Sequence, residues 1–288
     1  MTDTLQFDRI PSTLPLFARL AVSKGRSDKT LKQPLVAQAR GIVASRKEVR
    51  RYVEICGGEE GLGLPILYPQ VLANPLAMTL LAHPDFPLAA LGVVHVENEV
   101  EQVRAPRVGE TLDFRVSIDQ IERTARGYEF DMLTEVLVGA QEPIWKARAR
   151  ILSRARDPNA AKTAPPKRLP PQPSDWPLLQ TFSLPGNQGR RYARVSGDYN
   201  PIHLYTPTAR LLGFRKPIIH GMWSAAACAA ALGVGDGPCR FSCEFKTPLY
   251  LPGKANLHAR SAASGRDFVL QEARSFKPVL AGRYEPRS

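Results

Sequence analysis

Hydrophobic and polar residues alternate most plainly in the middle of the chain, and that alternation predicts strands. In "TLDFRVSIDQIE", residues 111–122, Phe114, Val116 and Ile118 are separated by polar neighbours, and "GYEFDMLTEVLVG" (127–139) and "IWKARARILS" (144–153) are of the same kind. Successive strand side chains point to opposite faces, so a period of two sets one row of residues on a buried face. Strands that follow one another through short turns imply an antiparallel sheet, with any strongly apolar helix buried against it. Upstream the period changes. Val49, Tyr52, Val53 and Cys56 fall on one face of a helix that opens with Ser45 and Glu48 in capping-box spacing. A further run from Met222, "MWSAAACAAALGVG", is apolar all round and predicts a buried helix. It is shorter than the roughly 18–20 residues needed to cross a bilayer.

These elements occur twice. "RRYVEICGG" at 50–58 and "RRYARVSGD" at 190–198 share Arg-Arg-Tyr and a following Gly at an offset of 140. "AALG" closes an apolar helical run at 89–92 and again at 230–233, and a Pro-then-Gly turn leads into a strand in both "APRVGETLDFRV" and "TPLYLPGKANLHA". Three matches in the same order predict a duplication. Between the copies, residues 153–180 carry seven prolines and little apolar periodicity, the composition of an extended linker. The expected organisation is residues 1–152, a linker at 153–180, and residues 181–288. The expected class is α+β, with one central helix wrapped by an antiparallel sheet, twice over.

Composition narrows the partners. The chain has 39 Lys plus Arg against 27 Asp plus Glu, a net charge of +12, which favours anionic ligands. The basic residues are scattered in pairs with no nucleic-acid motif around them, so nucleic acid is not expected. The N-terminus lacks a secretion pattern, and four cysteines are too few for a disulfide scaffold. Cys239 and Cys243 in "CRFSC" fall on one strand face and read as buried thiols of a cytoplasmic protein without membrane insertion. "GGEEGLG" at 57–63 lacks the spacing and preceding strand of a dinucleotide loop.

The chemistry concentrates in "SGDYNPIHLYTPTARLLGFRKPIIHGMWSAA", residues 196–226. Ser196-Gly197 end a short helix, and Asn200 precedes Pro201. The residue before a proline is driven out of the α region, and Asn side chains bond nearby backbone, so Asn200 is suited to fixing the loop. Asp198 and His203 then project from a stiff segment, where a carboxylate and an imidazole can divide acid and base work. Gly221 opens the buried helix and is expected to let a ligand approach the backbone. Free N–H groups and a positive dipole end there suit a developing oxyanion. His220 is expected to cap or orient that helix start. Arg215 and Lys216 can meet the phosphates of an anionic ligand; a solvated charged turn explains them nearly as well. His83, His95 and His258 read as surface or packing residues, and no metal-ligand cluster is visible.

The run "YARVSGDYNPIH" with "PIIHGM" downstream resembles the MaoC-like dehydratases, the (R)-specific enoyl-CoA hydratases of hot-dog fold, and "FKTPLYLPGKANL" at 245–257 extends the likeness. It covers most of residues 180–285 and, more weakly, the first half as a diverged second hot dog. The resemblance implies reversible hydration of trans-2-enoyl thioesters to (3R)-3-hydroxyacyl thioesters. It makes Asp198 and His203 the catalytic pair, has Asn200 orient the histidine, and puts the Gly221 N–H on the thioester oxygen. It implies no metal or organic cofactor, since coenzyme A or the phosphopantetheine of an acyl carrier protein belongs to the substrate. In the first half, Gly58 and Gly63 stand at the offset from Asp198 and His203, and "PQVLAN" sets Leu72 and Ala73 against His220 and Gly221, so that half is expected to be catalytically empty. A hot-dog thioesterase and a non-catalytic acyl-binding subunit are the alternatives, and whether the chain forms a homodimer is left open.

Overall fold

The computed structural model describes residues 3–23, 25–90, 92–139, 142–154 and 175–287. The alternating segments form strands as the pattern requires: β4 (Thr111–Thr124), β5 (Gly127–Leu137) and β6 (Trp145–Arg154) pair antiparallel in sequence order. Phe114, Val116 and Ile118 are fully buried on one face of β4. The Ser45 cap also forms, with the Glu48 carboxylate accepting from Ser45 Oγ rather than from the Ser45 backbone N–H. Helix α2 (Arg46–Cys56) starts where Ser45 Oγ accepts from the Glu48 N–H, and it buries Val49, Tyr52, Val53 and Cys56.

Ahead of α2 lie elements that the pattern did not predict. Strand β1 (Asp3–Phe7) runs parallel to β2 (Leu35–Val43), and helix α1 (Thr13–Val22) packs on α3 (Tyr68–Leu81). Leu16 and Leu20 of α1 join Met78 and Ala90 in a small apolar cluster apart from the main core. The first half ends with β3 (Val93–Gln102) and β4 to β6.

The second half is β7 (Leu178–Leu184), α4 (Gln188–Ser196), α5 (Thr206–Leu211), α6 (Gly221–Ala231), β8 (Cys239–Phe245), β9 (Gly253–Ala262), β10 (Gly265–Glu272) and β11 (Pro278–Pro286). Among the described residues eleven strands form one sheet in the order β1-β2-β4-β5-β6-β3-β8-β11-β10-β9-β7. Apart from β1 the order is a palindrome about the β3–β8 seam, where Val100 faces Phe241 and Asn98 faces Cys243 in antiparallel register. The duplication therefore appears as pseudo-two-fold symmetry, with α3 on the sheet of one half and α6 on that of the other. Cys239, Phe241 and Cys243 share the buried face of β8, and all four cysteines are free and buried.

Three readings need correction. α3 stops at Leu81, so "AALG" closes a helix only in the second half, where α6 ends at Ala231. Pro84 lies just past the end of α3 and drives His83 out of the α region, so the helix stops ahead of it, and Phe86, Leu88 and Ala90 pack from a loop. The linker span is also too wide at both ends. Residues 153–154 belong to β6 and 178–180 to β7, while 155–174 lie outside the described residues. Finally, Leu72 and Ala73 sit inside α3; the residue at its N-cap, where His220 stands for α6, is Leu67. Among the described residues no helix is long and apolar enough to cross a membrane.

Candidate active site

The candidate loop begins where α4 ends. Gly197 closes the helix at φ +68°, a left-handed conformation that glycine adopts without strain. The next residues knit the turn locally. The Asp198 N–H donates to Ser196 Oγ (3.2 Å), the Asn200 N–H to Asp198 Oδ1 (3.1 Å), and the Ile202 N–H to Asn200 Oδ1 (3.3 Å). Asn200 thus fixes the loop as its position before Pro201 predicted. Its carbonyl accepts from the His203 N–H at 3.0 Å, but its side chain is committed to Ile202, so the ring of His203 takes its orientation elsewhere.

That orientation comes from the turn before α6. His203 closes a short 3-10 turn, Pro201–His203, and its Nδ1 lies 2.8 Å from the Ile218 carbonyl. A carbonyl only accepts, so Nδ1 carries the hydrogen and Nε2 is left with its lone pair. His220 is fixed the same way through the other nitrogen. Its Nε2 lies 3.0 Å from the Asp198 carbonyl oxygen and therefore carries the hydrogen, which leaves Nδ1 a buried acceptor without a partner among the described residues. The two rings stack with centroids 3.7 Å apart and planes inclined by 27°.

Burial makes both rings neutral. His203 is pulled down to about 3, first by desolvation and then by His220, against the opposing pull of Asp198 and the Ile218 carbonyl. His220 is lowered by desolvation as well, with Asp198 opposing. Two cations stacked in a dry site would repel, so the 3.8 Å approach of His220 Nε2 to Asp198 Oδ2 is a dipole-to-carboxylate contact rather than an ion pair. His220 forms no side-chain cap on α6. It ties the first turn of α6 to the backbone of Asp198.

Gly221 begins α6, and as the first helical residue its N–H has no partner within the helix. The reason for glycine differs from the expectation. A Cβ there would sit 3.0 Å from Cδ1 and Cε1 of Phe245, so the space over Gly221 is taken by an aromatic ring from the end of β8. Phe245 in turn faces the ring of His95 on β3 at 4.9 Å. His95 is a packing residue of the seam, and burial pulls it down to about 4. Gly189 has a similar duty on α4: a Cβ there would land on the carbonyl oxygen of His203. Arg215 and Lys216 lie on the exposed turn just before Ile218, with the Arg215 guanidinium 4.4 Å above the Tyr250 ring. His258 Nδ1 lies 3.0 Å from the Trp176 carbonyl, and His83 Nδ1 accepts from the Asp85 N–H; neither reaches the site.

Tyr192 was not expected at the site. Its buried ring lies 4.9 Å from His220 and 6.3 Å from Tyr52, the equivalent residue of the first half. The signal was the repeated Arg-Arg-Tyr: the pseudo-symmetry brings the paired tyrosines together beneath the histidines. The fold also gathers what the sequence keeps apart. Donor atoms of Asp198, His203 and His220 lie within 4.8 Å of one another, a set with the chemistry to hold a cation although each ring commits one nitrogen to a carbonyl. No such set was visible in the sequence.

The pseudo-symmetric pair of helix-on-sheet units defines a double hot-dog protein, and in one half a buried imidazole and a carboxylate meet beside a helix tip. Comparison with known proteins agrees. Residues 163–261 match the MaoC like domain family. The chain is 32% identical over 233 residues to 3-hydroxyacyl-thioester dehydratase X of Mycobacterium tuberculosis, covering 81% of this chain and 82% of that one. The crystal structure of HtdX from the same organism superposes with a TM-score of 0.76 at 29% identity, over 88% of this chain and 100% of that chain. A second M. tuberculosis protein, described as a double hotdog fold, superposes at 0.55 with 16% identity over 89% and 96%, a likeness of fold alone. The chain belongs to the MaoC-like dehydratase family.

Proposed function

We propose that the protein is a hydro-lyase that reversibly hydrates trans-2-enoyl thioesters to (3R)-3-hydroxyacyl thioesters at the Asp198–His203 site. The observation that carries the reading is the His203 tautomer: Nδ1 bonded to Ile218 leaves Nε2 an unprotonated acceptor on a residue whose donor atoms cluster with those of Asp198 and His220, just ahead of α6. In the hydration direction the oxygen of water bonds C3. One of its protons passes to the Asp198–His203 pair and a proton passes from the pair to C2, so both groups end as they began. Charge gathers on the thioester oxygen as the enolate forms, and the Gly221 N–H at the positive end of α6 binds it. His220 and Asn200 hold the loop in register with that helix. Arg215 and Lys216 serve the phosphates of coenzyme A or phosphopantetheine, which enter with the substrate. No metal or organic cofactor is called for, and the first half, with glycines at the two catalytic positions, supports the fold without a site of its own.

The test is direct. Purified protein is mixed with crotonyl-CoA and longer trans-2-enoyl-CoAs while enoyl absorbance and free thiol are followed. Loss of absorbance without thiol supports the hydro-lyase; thiol release would make the chain a thioesterase, and binding with neither reaction an acyl-binding subunit. Asp198→Asn and His203→Ala are each expected to lower turnover at least about a hundredfold; near-normal rates in either would refute the assignment.

A further inference from the structure

We propose that the exposed face formed by α5 and its flanking turns, residues 204–216, docks an acidic carrier protein that delivers the acyl group on a phosphopantetheine arm. The proposal rests on the thioester reading above. Three large apolar side chains stand out there: Leu211 is 87% exposed, Tyr205 55% and Leu212 43%. Cations lie among them: Arg210 is on α5, the Arg190 guanidinium lies over the Tyr205 ring, and Arg215 and Lys216 follow on the exposed turn. From 185 to 220 the chain carries Arg190, Arg191, Arg194, Arg210, Arg215 and Lys216, and its one acid is the catalytic Asp198.

The face is joined directly to the site. Arg190 donates to the Leu204 carbonyl (2.7 Å) and lies over the Tyr205 ring at 4.8 Å. Thr208 of α5 donates to the carbonyl of Pro201, two residues from the catalytic histidine. At the other end, Ile218 both receives the His203 ring and bridges to Tyr250, on which Arg215 rests. A free coenzyme A nucleotide would use the cations but has no use for exposed leucines. An acidic helical domain uses both, since such interfaces combine apolar and aromatic anchors with charge complementarity at the rim. A second copy of this chain would set the basic patch against its own image, which like charge opposes.

The experiment compares one acyl group on two carriers: crotonyl-CoA, and crotonyl-phosphopantetheine on a bacterial type II acyl carrier protein. The wild type is expected to show the higher kcat/KM on the carrier protein. Leu211→Asp and Arg210→Glu are expected to lower that value at least tenfold while leaving crotonyl-CoA within twofold, which also reports that the variants are folded. Equal effects on both substrates, no effect on either, or no wild-type preference for the carrier would overturn the docking surface while leaving the hydro-lyase standing. A wild type that hydrates neither thioester would overturn the hydro-lyase and the docking surface with it. Light scattering that shows a dimer broken by Leu211→Asp would give the face to a second copy and likewise overturn the proposal.

Discussion

Replacing Gly221 by alanine tests whether the tip of α6 is held by packing or only by its backbone path. The added Cβ would lie 3.0 Å from Phe245 Cδ1 and Cε1 and 3.5 Å from Cζ. Carbon atoms are comfortable at about 3.5–4.0 Å, so ring and helix must separate by several tenths of an ångström. His95 faces the ring at 4.9 Å and limits its retreat on that side. Overpacking of this kind costs about 1–3 kcal/mol. The part taken up by the helix shifts the Gly221 N–H, and complete loss of an oxyanion donor is worth about 3–4 kcal/mol of barrier. Gly221→Ala is therefore expected to lower kcat on crotonyl-CoA by about 10- to 100-fold and to lower the Tm by several degrees. Phe245→Leu should make room. In that background Gly221→Ala should cost at least about 1 kcal/mol less, the coupling expected of residues in contact. A Gly221→Ala variant with wild-type kcat and Tm, or a cycle with no coupling, would refute the reasoning.

Gly189→Ala drives a methyl group onto the His203 carbonyl and should cost both stability and turnover, read by thermal unfolding and the crotonyl-CoA assay. His220→Phe keeps an aromatic ring against His203 but removes the bond to the Asp198 carbonyl; it should lower kcat well beyond what its stability loss of about 1 kcal/mol accounts for. Ser45→Ala removes the α2 cap and should cost about 1 kcal/mol with activity unchanged. Acid should destabilise the fold through its neutral histidines. His203 at about 3 and His95 at about 4 lie below the ordinary 6.5, so as pH falls the unfolded chain takes up protons first. Their contribution is complete above about 6.5 and drains away toward about 4 for His95 and about 3 for His203, at up to about 1.4 kcal/mol per pH unit for each. Denaturant titrations at pH 7 and 5 should show the loss, and His95→Gln should reduce it; a flat profile would count against neutral burial of both rings.

The division between sequence and structure can be followed residue by residue. The loop from Ser196 to His203 was legible because its bonds are local: Asp198 to Ser196, Asn200 to Asp198 and Ile202 to Asn200 each span two residues. The α2 cap, the buried face of Val49, Tyr52, Val53 and Cys56, the strands β4 to β6 and the apolar α6 were legible for a related reason, since one-dimensional periodicity records which side of an element is buried. The start of the chain was less so. Leu35, Val36 and Ala37 of β2 are all buried, so the start of that strand shows no alternation, and only Ala37 to Arg40 alternate.

What the tertiary structure alone decided is how distant segments meet. The stack of His203 on His220, the Ile218 carbonyl that sets the His203 tautomer, the Phe245 ring over Gly221 and the meeting of Tyr52 with Tyr192 join residues 15 to 140 positions apart. Local pattern carries no record of such pairings. They follow from the β3–β8 seam and the pseudo-two-fold packing, which fix the two halves against each other. The sequence thus put forward the candidate acid/base groups, while the fold chose which nitrogen of each ring is left free, because a buried imidazole gives its hydrogen to whichever carbonyl the packing brings within reach.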